Sequence, residues 1–401
     1  MQPFRITLET VTPLFLGGAD ARGAPELRPP AFRGALRYWL RALLGGGYSL
    51  EQIRDNEGKV FGLAGDNNAT ASALIIRKGF EQLTSISYSK IVDVFKSPDG
   101  KEKIGKQGLS YLLFAARKTG NEPERSALQG IFEIVYQERN NISGDNSLLR
   151  QAYASLWLLT HLGGLGNRAR RGGGNLQVIK IDPLPEFAKE LPLIVQANTA
   201  RELADEIKNG VYVARKWVGI SENANSAISD FDILCSSACN IWVIDKEFAT
   251  WSDALNNLGL IFQGFRKWRK PDYGTVKDAM SLGQNLARPV ERAAFGLPIP
   301  YLYRSLNKDK ATLQSQDFDR RSSPLIFRVV KLANQRYVLV LTWFKSQFLP
   351  EGQELALLHH KIKRSGDVPD DSLITDFLLK PDTKNQSSLK DNDWALIKVT
   401  L

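Results

Sequence analysis

Arginine and glycine are concentrated where a chain would need them to hold an anion. The stretch Gly163-Gly164-Leu165-Gly166-Asn167-Arg168-Ala169-Arg170-Arg171-Gly172-Gly173-Gly174-Asn175 carries six glycines and three arginines in thirteen residues. Glycine has no Cβ, so successive N–H groups can turn toward one anion at short range. Arginine adds planar, permanently charged donors that match phosphate oxygens in pairs. Arg168, Arg170 and Arg171, with the backbone of Gly164, Gly166, Gly172 and Gly173, are therefore read as a grip on a sugar-phosphate chain. The stretch lacks the Gly-Lys-Ser/Thr ending of a Walker A loop. It also runs from a helix into a strand, the reverse of a dinucleotide fingerprint.

Two further basic segments have the same chemistry. In Phe32–Arg41, Arg33, Arg37 and Arg41 recur every four residues and form a stripe about two turns long, with Tyr38 beside them as a stacking ring. In Phe265-Arg266-Lys267-Trp268-Arg269-Lys270, four cations alternate with two aromatics, a composition suited to a single strand. A basic surface turn before Pro271 accounts for this last segment equally well. Arg320-Arg321, Arg288 and Arg292 are weaker signals of the same kind.

Catalytic signatures are sparse. His161 ends an apolar run and reads as a packed residue. His359-His360 has no evident metal partner in the sequence. Gly-x-Ser-x-Gly and His-Glu-x-x-His are missing from the sequence. Asp20 and Glu26 lie in the loop after the first strand, where an acid can orient a 2′-hydroxyl or hold a metal, although a solvated loop acid is the plainer reading. Cys235 and Cys239 are too few for a disulfide framework and wrongly spaced for a zinc knuckle. A reducing cytoplasm is the expected setting, and no cofactor is expected.

The elements that must position these residues follow from periodicity. The 401 residues are 43% hydrophobic and 24% charged, an ordinary balance for a chain with a core. Lys and Arg number 53 against 43 Asp and Glu, a net charge of +10 that favours an anionic partner. No apolar run is long enough for a transmembrane helix, and the amino terminus lacks a signal-peptide plan, so no membrane is expected. Residues 4–11 alternate as a half-buried strand. Residues 31–44 repeat as an amphipathic helix stopped by Gly45-Gly46-Gly47. Strands are expected at 72–77, 109–114 and 176–181, and a long apolar helix at 147–162. Pro183, Pro185 and Pro192 suggest a boundary, giving domains 1–185 and 186–401.

The second half echoes the first. Phe-Gly-Leu occurs at 61–63 and 295–297, and Ser-Ala-Leu-Ile-Ile-Arg at 72–77 is matched by Ser-Pro-Leu-Ile-Phe-Arg at 323–328. The order strand, helix, strand, strand, helix, strand suits a ferredoxin-like, RRM-like unit. The expected class is α+β, with two tandem β-α-β-β-α-β domains carrying insertions. Each sheet would have one helix-covered face and one free for a ligand.

These pieces together resemble the RAMP superfamily of RNA-binding proteins in CRISPR systems, and within it the subunit-one family of type III-B Cmr effector complexes. The likeness rests on Thr10–Asp20, Glu26–Arg28, Arg33–Trp39, Phe61-Gly62, Gly163–Gly172, Phe295–Pro298 and Arg320–Leu325, so it spans about residues 4–328. It implies a non-catalytic RNA-binding subunit holding the 3′ region of a guide RNA, target single-stranded RNA entering there, or both, with other Cmr subunits as neighbours. The family's cutting subunit uses an Asp after its first strand, which makes Asp20 the candidate for the alternative, a metal-assisted endoribonuclease. A purely scaffolding subunit is the other alternative. Ala31 replaces the usual Ser before the first helix, so that helix is expected to start on Pro29-Pro30.

Overall fold

The alternating segment at the amino terminus forms a strand, β1 (Phe4–Thr10), with Phe4, Ile6 and Leu8 in the core. The computed structural model describes all residues except 1, 19, 21, 66–68, 140–146, 222–223, 225, 227–230, 268–269, 319 and 381–387. After β1 come α1 (Pro29–Leu44), α2 (Leu50–Phe61), β2 (Leu74–Ser87), α3 (Tyr88–Ile91), β3 (Val94–Lys96), β4 (Glu102–Ile104), α4 (Gln107–Leu112), β5 (Ser126–Glu138), α5 (Ser147–Leu162) and β6 (Leu176–Asp182). The second half contains α6 (Ala200–Trp217), β7 (Cys239–Ile244), α7 (Trp251–Lys267), α8 (Lys270–Leu282), β8 (Ile299–Tyr303), β9 (Asp309–Ser315), β10 (Leu325–Lys331), β11 (Tyr337–Phe344), β12 (Leu355–His359), β13 (Ile362–Gly366), α9 (Ser372–Leu379) and β14 (Leu396–Val399).

Helix α1 starts on Pro29 and Pro30 with no side-chain cap, as expected without a capping Ser. Its face Phe32, Leu36, Trp39, Leu40 and Leu43 is buried. Gly45 ends the helix at a right-handed φ of −57°, so its role is space and not backbone handedness: a Cβ there would lie 2.9 Å from Ile233. The strand expected at 109–114 is helix α4 instead. Leu109, Leu112 and Leu113 recur at helical spacing and are buried. Asn256 Oδ1 on α7 accepts the first free N–H groups, Gly108 at 3.0 Å and Leu109 at 3.2 Å.

The first antiparallel sheet has the order β2-β5-β1-β6, and the second β10-β11-β7-β14. Each is the strand order of a β-α-β-β-α-β unit, with β3, β4 and α4 inserted in the first and β8, β9, β12 and β13 in the second. Those four inserted strands make a third sheet, β13-β12-β9-β8, over a small core of its own that includes Val276, Tyr303, Leu313 and Leu355.

Helices α1, α5 and α6 lie in one core that the first sheet shares with Ile241, Val243, Ile326, Val330 and Val340 of the second. The opposite face of the second sheet packs Trp242, Phe327, Leu339 and Leu341 against α7 and α9. The expectation of a free face therefore fails for the second sheet. The second is covered on both sides, which suits the near-continuous burial of β10 and β11.

The sequence echo has a structural counterpart. Gly62 and Gly296 both follow a helical turn with positive φ, 86° and 112°. The next residues, Leu63 and Leu297, each form an isolated bridge, to Thr70 and Arg321. Ser72 and Ser323 then turn their hydroxyls onto the carbonyls of Leu74 and Leu325, at 2.6 and 3.0 Å, to open the next strand. Among the described residues no helix is long and apolar enough to cross a membrane, and Cys235 and Cys239 are buried and free.

Candidate nucleic-acid interface

The Gly/Arg loop joins α5 to β6 and threads between the two halves. Its arginines turn inward. Arg171 is buried, donates to the carbonyls of Leu325 at 3.0 Å and Phe295 at 2.9 Å, and lies between the rings of Phe262 and Phe327, each 5.1 Å away. Burial, with Arg168 and Arg266 nearby, pulls its pKa well below the ordinary arginine range. Arg168 donates from Nε to the carbonyl of Leu112 at 2.7 Å, and burial lowers its pKa to about 10. Arg170 bonds to Asp232 at 2.6 Å and to the carbonyl of Ser323 at 2.7 Å. Burial works against its charge, but Tyr38 and Asp232 outweigh burial and raise its pKa. The side-chain part of the expected phosphate grip is thus committed to the protein itself. Gly172 and Gly173 are buried too. A Cβ on Gly172 would lie 2.4 Å from Leu255, and Gly173 donates its N–H to Arg168.

The α1 stripe is also partly committed. Arg37 and Arg41 converge on the buried carboxylate of Glu57 in α2 at 2.7 and 3.0 Å, and Arg37 donates to the carbonyls of Phe61 and Gly62. A carboxylate so placed needs such partners. Arg33 alone of the three forms no hydrogen bond or ion pair with a described residue, and its Nε is buried without a partner. Arg266 donates to Tyr111 at 2.9 Å and covers Phe262, while Lys267 is exposed at the end of α7. Trp268 and Arg269 lie outside the described residues. Asp20 is exposed, accepts the N–H of Arg22 at 2.8 Å, and belongs to no cluster of three or more possible metal ligands among the described residues.

What the loop leaves open is backbone. A groove of about 370 Å³ runs between α1 and the loop, lined by Gly34, Ala35 and Tyr38 on one side and Gly164, Gly166, Ala169 and Arg170 on the other. The N–H groups of Gly164, Gly166, Ala169 and Arg170 donate to no described residue, whereas those of Leu165, Asn167, Arg171, Gly173 and Gly174 are all bonded internally. Gly34 faces them from mid-helix, exposed, with nothing within 4 Å of where a Cβ would stand. A glycine inside a helix costs about 1 kcal/mol relative to alanine, and here no packing contact requires it. At Tyr38 and Arg170 the groove meets a second hollow of about 340 Å³ with half-exposed Phe318 and exposed Arg320 on its rim.

Three residues that hold this arrangement were not among the expected site residues. Asp232 anchors Arg170, Tyr38 and Ser346. Asn175 bonds the carbonyl of Gly163 at 3.1 Å and the N–H of Val329 at 2.9 Å. Arg328, fully buried, donates to the carbonyls of Leu159, Thr160, Gly163 and Leu176.

The sequence model of the RAMP superfamily matches residues 7–177. The CRISPR system Cmr subunit Cmr1-1 of Pyrococcus furiosus is 25% identical over 350 residues, covering 86% of this chain and 88% of that protein. Subunit Cmr1-2 of the same organism is 32% identical over 185 residues, 43% of this chain and 92% of that protein. The crystal structure of Cmr1 from Pyrococcus furiosus in its apo form superposes with a TM-score of 0.61 at 19% identity, covering 100% of this chain and 99% of that one. A chain in the cryo-EM structure of the type III-B Cmr-beta complex bound to cognate target RNA gives a TM-score of 0.50 at 14% identity, covering 85% and 94%. These two superpositions show the shared fold.

Proposed function

This chain belongs to the RAMP superfamily and, within it, to the Cmr1 subunits, and from that premise we propose that it is a non-catalytic, RNA-holding subunit of a type III-B CRISPR effector ribonucleoprotein. Its partners are then a guide RNA, the single-stranded target RNA and the other Cmr subunits, in the cytoplasm. The observation that carries this reading is the pairing of four unbonded N–H groups in the Gly/Arg loop with the bare Gly34 on the facing helix. A phosphate in the groove can be reached by amides at short range only if no side chain stands opposite them. The ligands are thus Gly164, Gly166, Ala169 and Arg170 through their backbones, with Arg33 and Arg320 supplying uncommitted charge. Arg168 and Arg171 tie the loop to the rest of the fold and are not themselves ligands. Contacts of this kind give affinity and register, not base reading.

The test is Gly34→Glu. The space is empty and glutamate is a better helix former than glycine by a few tenths of a kcal/mol or more, so the thermal midpoint should not fall. A carboxylate facing the amides should weaken binding of guide-length single-stranded RNA at least tenfold in a filter-binding assay. Unchanged affinity in a folded variant overturns the groove as the RNA site.

The non-catalytic part has its own check. The purified chain incubated with Mg²⁺ or Mn²⁺ should leave cognate RNA intact on a denaturing gel. Cutting that Asp20→Ala abolishes would establish the nuclease reading.

A further inference from the structure

We propose that Asp309, His359 and His360 form a binding site for a divalent transition-metal ion of the Zn²⁺ class. The chain has three histidines, and two of them meet one carboxylate. Successive residues of a strand point to opposite faces, so adjacent histidines do not ordinarily share a ligand. Here the strand ends between them. His359 closes β12, and His360 and Lys361 form the two-residue turn into β13 with φ of 48° and 66°. The turn brings the imidazole of His360 back beside that of His359, with ring centroids 4.1 Å apart. A second left-handed pair, Asn307 and Lys308, delivers Asp309 to the start of β9, the strand paired with β12.

The three ligand atoms converge. Asp309 Oδ2 is 2.7 Å from His359 Nε2 and 3.2 Å from His360 Nε2. All three lie within 4.8 Å of one another. Neighbouring ligand atoms around a tetrahedral ion with bonds of about 2.0–2.1 Å stand roughly 3.3 Å apart, so small side-chain rotations admit one. Two imidazoles and a carboxylate suit Zn²⁺, Ni²⁺ or Cu²⁺, whereas Ca²⁺ and Mg²⁺ prefer all-oxygen sets. The side chain of His359 is 7% exposed and that of His360 70%. The site therefore has a buried inner wall and an open side for entry of the ion and a fourth ligand. An ion bound there would clip the β12–β13 hairpin to the turn before β9.

The experiment uses the full chain without a histidine tag, stripped by a chelator and titrated with Co²⁺. We expect one equivalent to bind with the intense visible absorption of low-coordinate cobalt, displaced by Zn²⁺, and one equivalent of Zn²⁺ to raise the thermal midpoint. His360→Ala removes an exposed ligand and, measured against its own metal-free midpoint, should bind Zn²⁺ at least tenfold more weakly and lose the Zn²⁺-induced rise. Asp309→Asn should weaken it likewise. Absence of stoichiometric uptake by the wild-type chain, or equal uptake by His360→Ala, overturns the site.

Discussion

Arg328→Met is expected to cost about 3–5 kcal/mol of folding stability, the range for leaving buried polar groups without their charged partner. The substitution keeps bulk and apolar stem but removes every donor. Left behind are the carbonyls of Thr160 at the end of α5 and Leu176 on β6, together with those of Leu159 and Gly163, which keep only the Gly163 N–H and the Asn175 amide. The last turn of a helix has no internal donors for its carbonyls and carries the negative end of the helix dipole, so a buried guanidinium is both a cap and a counter-charge. Burial draws the pKa of Arg328 down to about 9, which still leaves it charged at neutral pH. The loss should be read as a lower urea midpoint with an unchanged slope. Arg328→Lys should recover only part of it, because a point charge cannot span four carbonyls in fixed directions. A Met variant as stable as the wild type would mean that other donors reach these carbonyls.

Arg328 also shows which part of the molecule could be read from sequence. Periodicity located β1, α1, α5 and β6 because each buries one face or all of itself in a pattern that needs no knowledge of its neighbour. It failed at residues 109–114, where a run of apolar residues fits a strand as well as a helix until α7 supplies the cap at Asn256. The glycine and arginine content of residues 163–175 was legible, but the direction of the arginines was not. What decides it are carbonyls and a carboxylate far along the chain: Arg171 meets Leu325 at a separation of 154 residues, and Arg170 meets Asp232 at 62. Likewise Glu57 claims two arginines of the α1 stripe from a different helix, and the pair His359-His360 gains Asp309 from a different strand. The internal echo was legible because it lies in local backbone, a positive-φ glycine and a serine turn that recur in both halves.

The inward direction of the loop arginines also separates the two ways in which the loop can serve RNA, through guanidinium groups or through amides. If the amides are the ligands, Arg171→Ala should act on folding and not on the phosphate contact itself. It removes donors to Phe295 and Leu325 and empties the space between Phe262 and Phe327, so a loss of about 3–5 kcal/mol is expected. Since Arg171 joins the loop to β10 and to the turn before β8, the loss should appear as one cooperative transition at a lower denaturant midpoint. RNA affinity per mole of folded protein should stay near the wild-type value, and the slope of log affinity against log salt should not change. A guanidinium acting as a phosphate ligand predicts otherwise for RNA: a weaker affinity per mole of folded protein and a slope reduced by about one. In that case the loop must turn outward when RNA binds, exchanging two backbone partners and two aromatic faces for a phosphate. Gly34→Glu makes the complementary demand, loss of binding with the fold intact. The two variants together assign binding to the backbone of the loop and stability to its side chains, or refute that division.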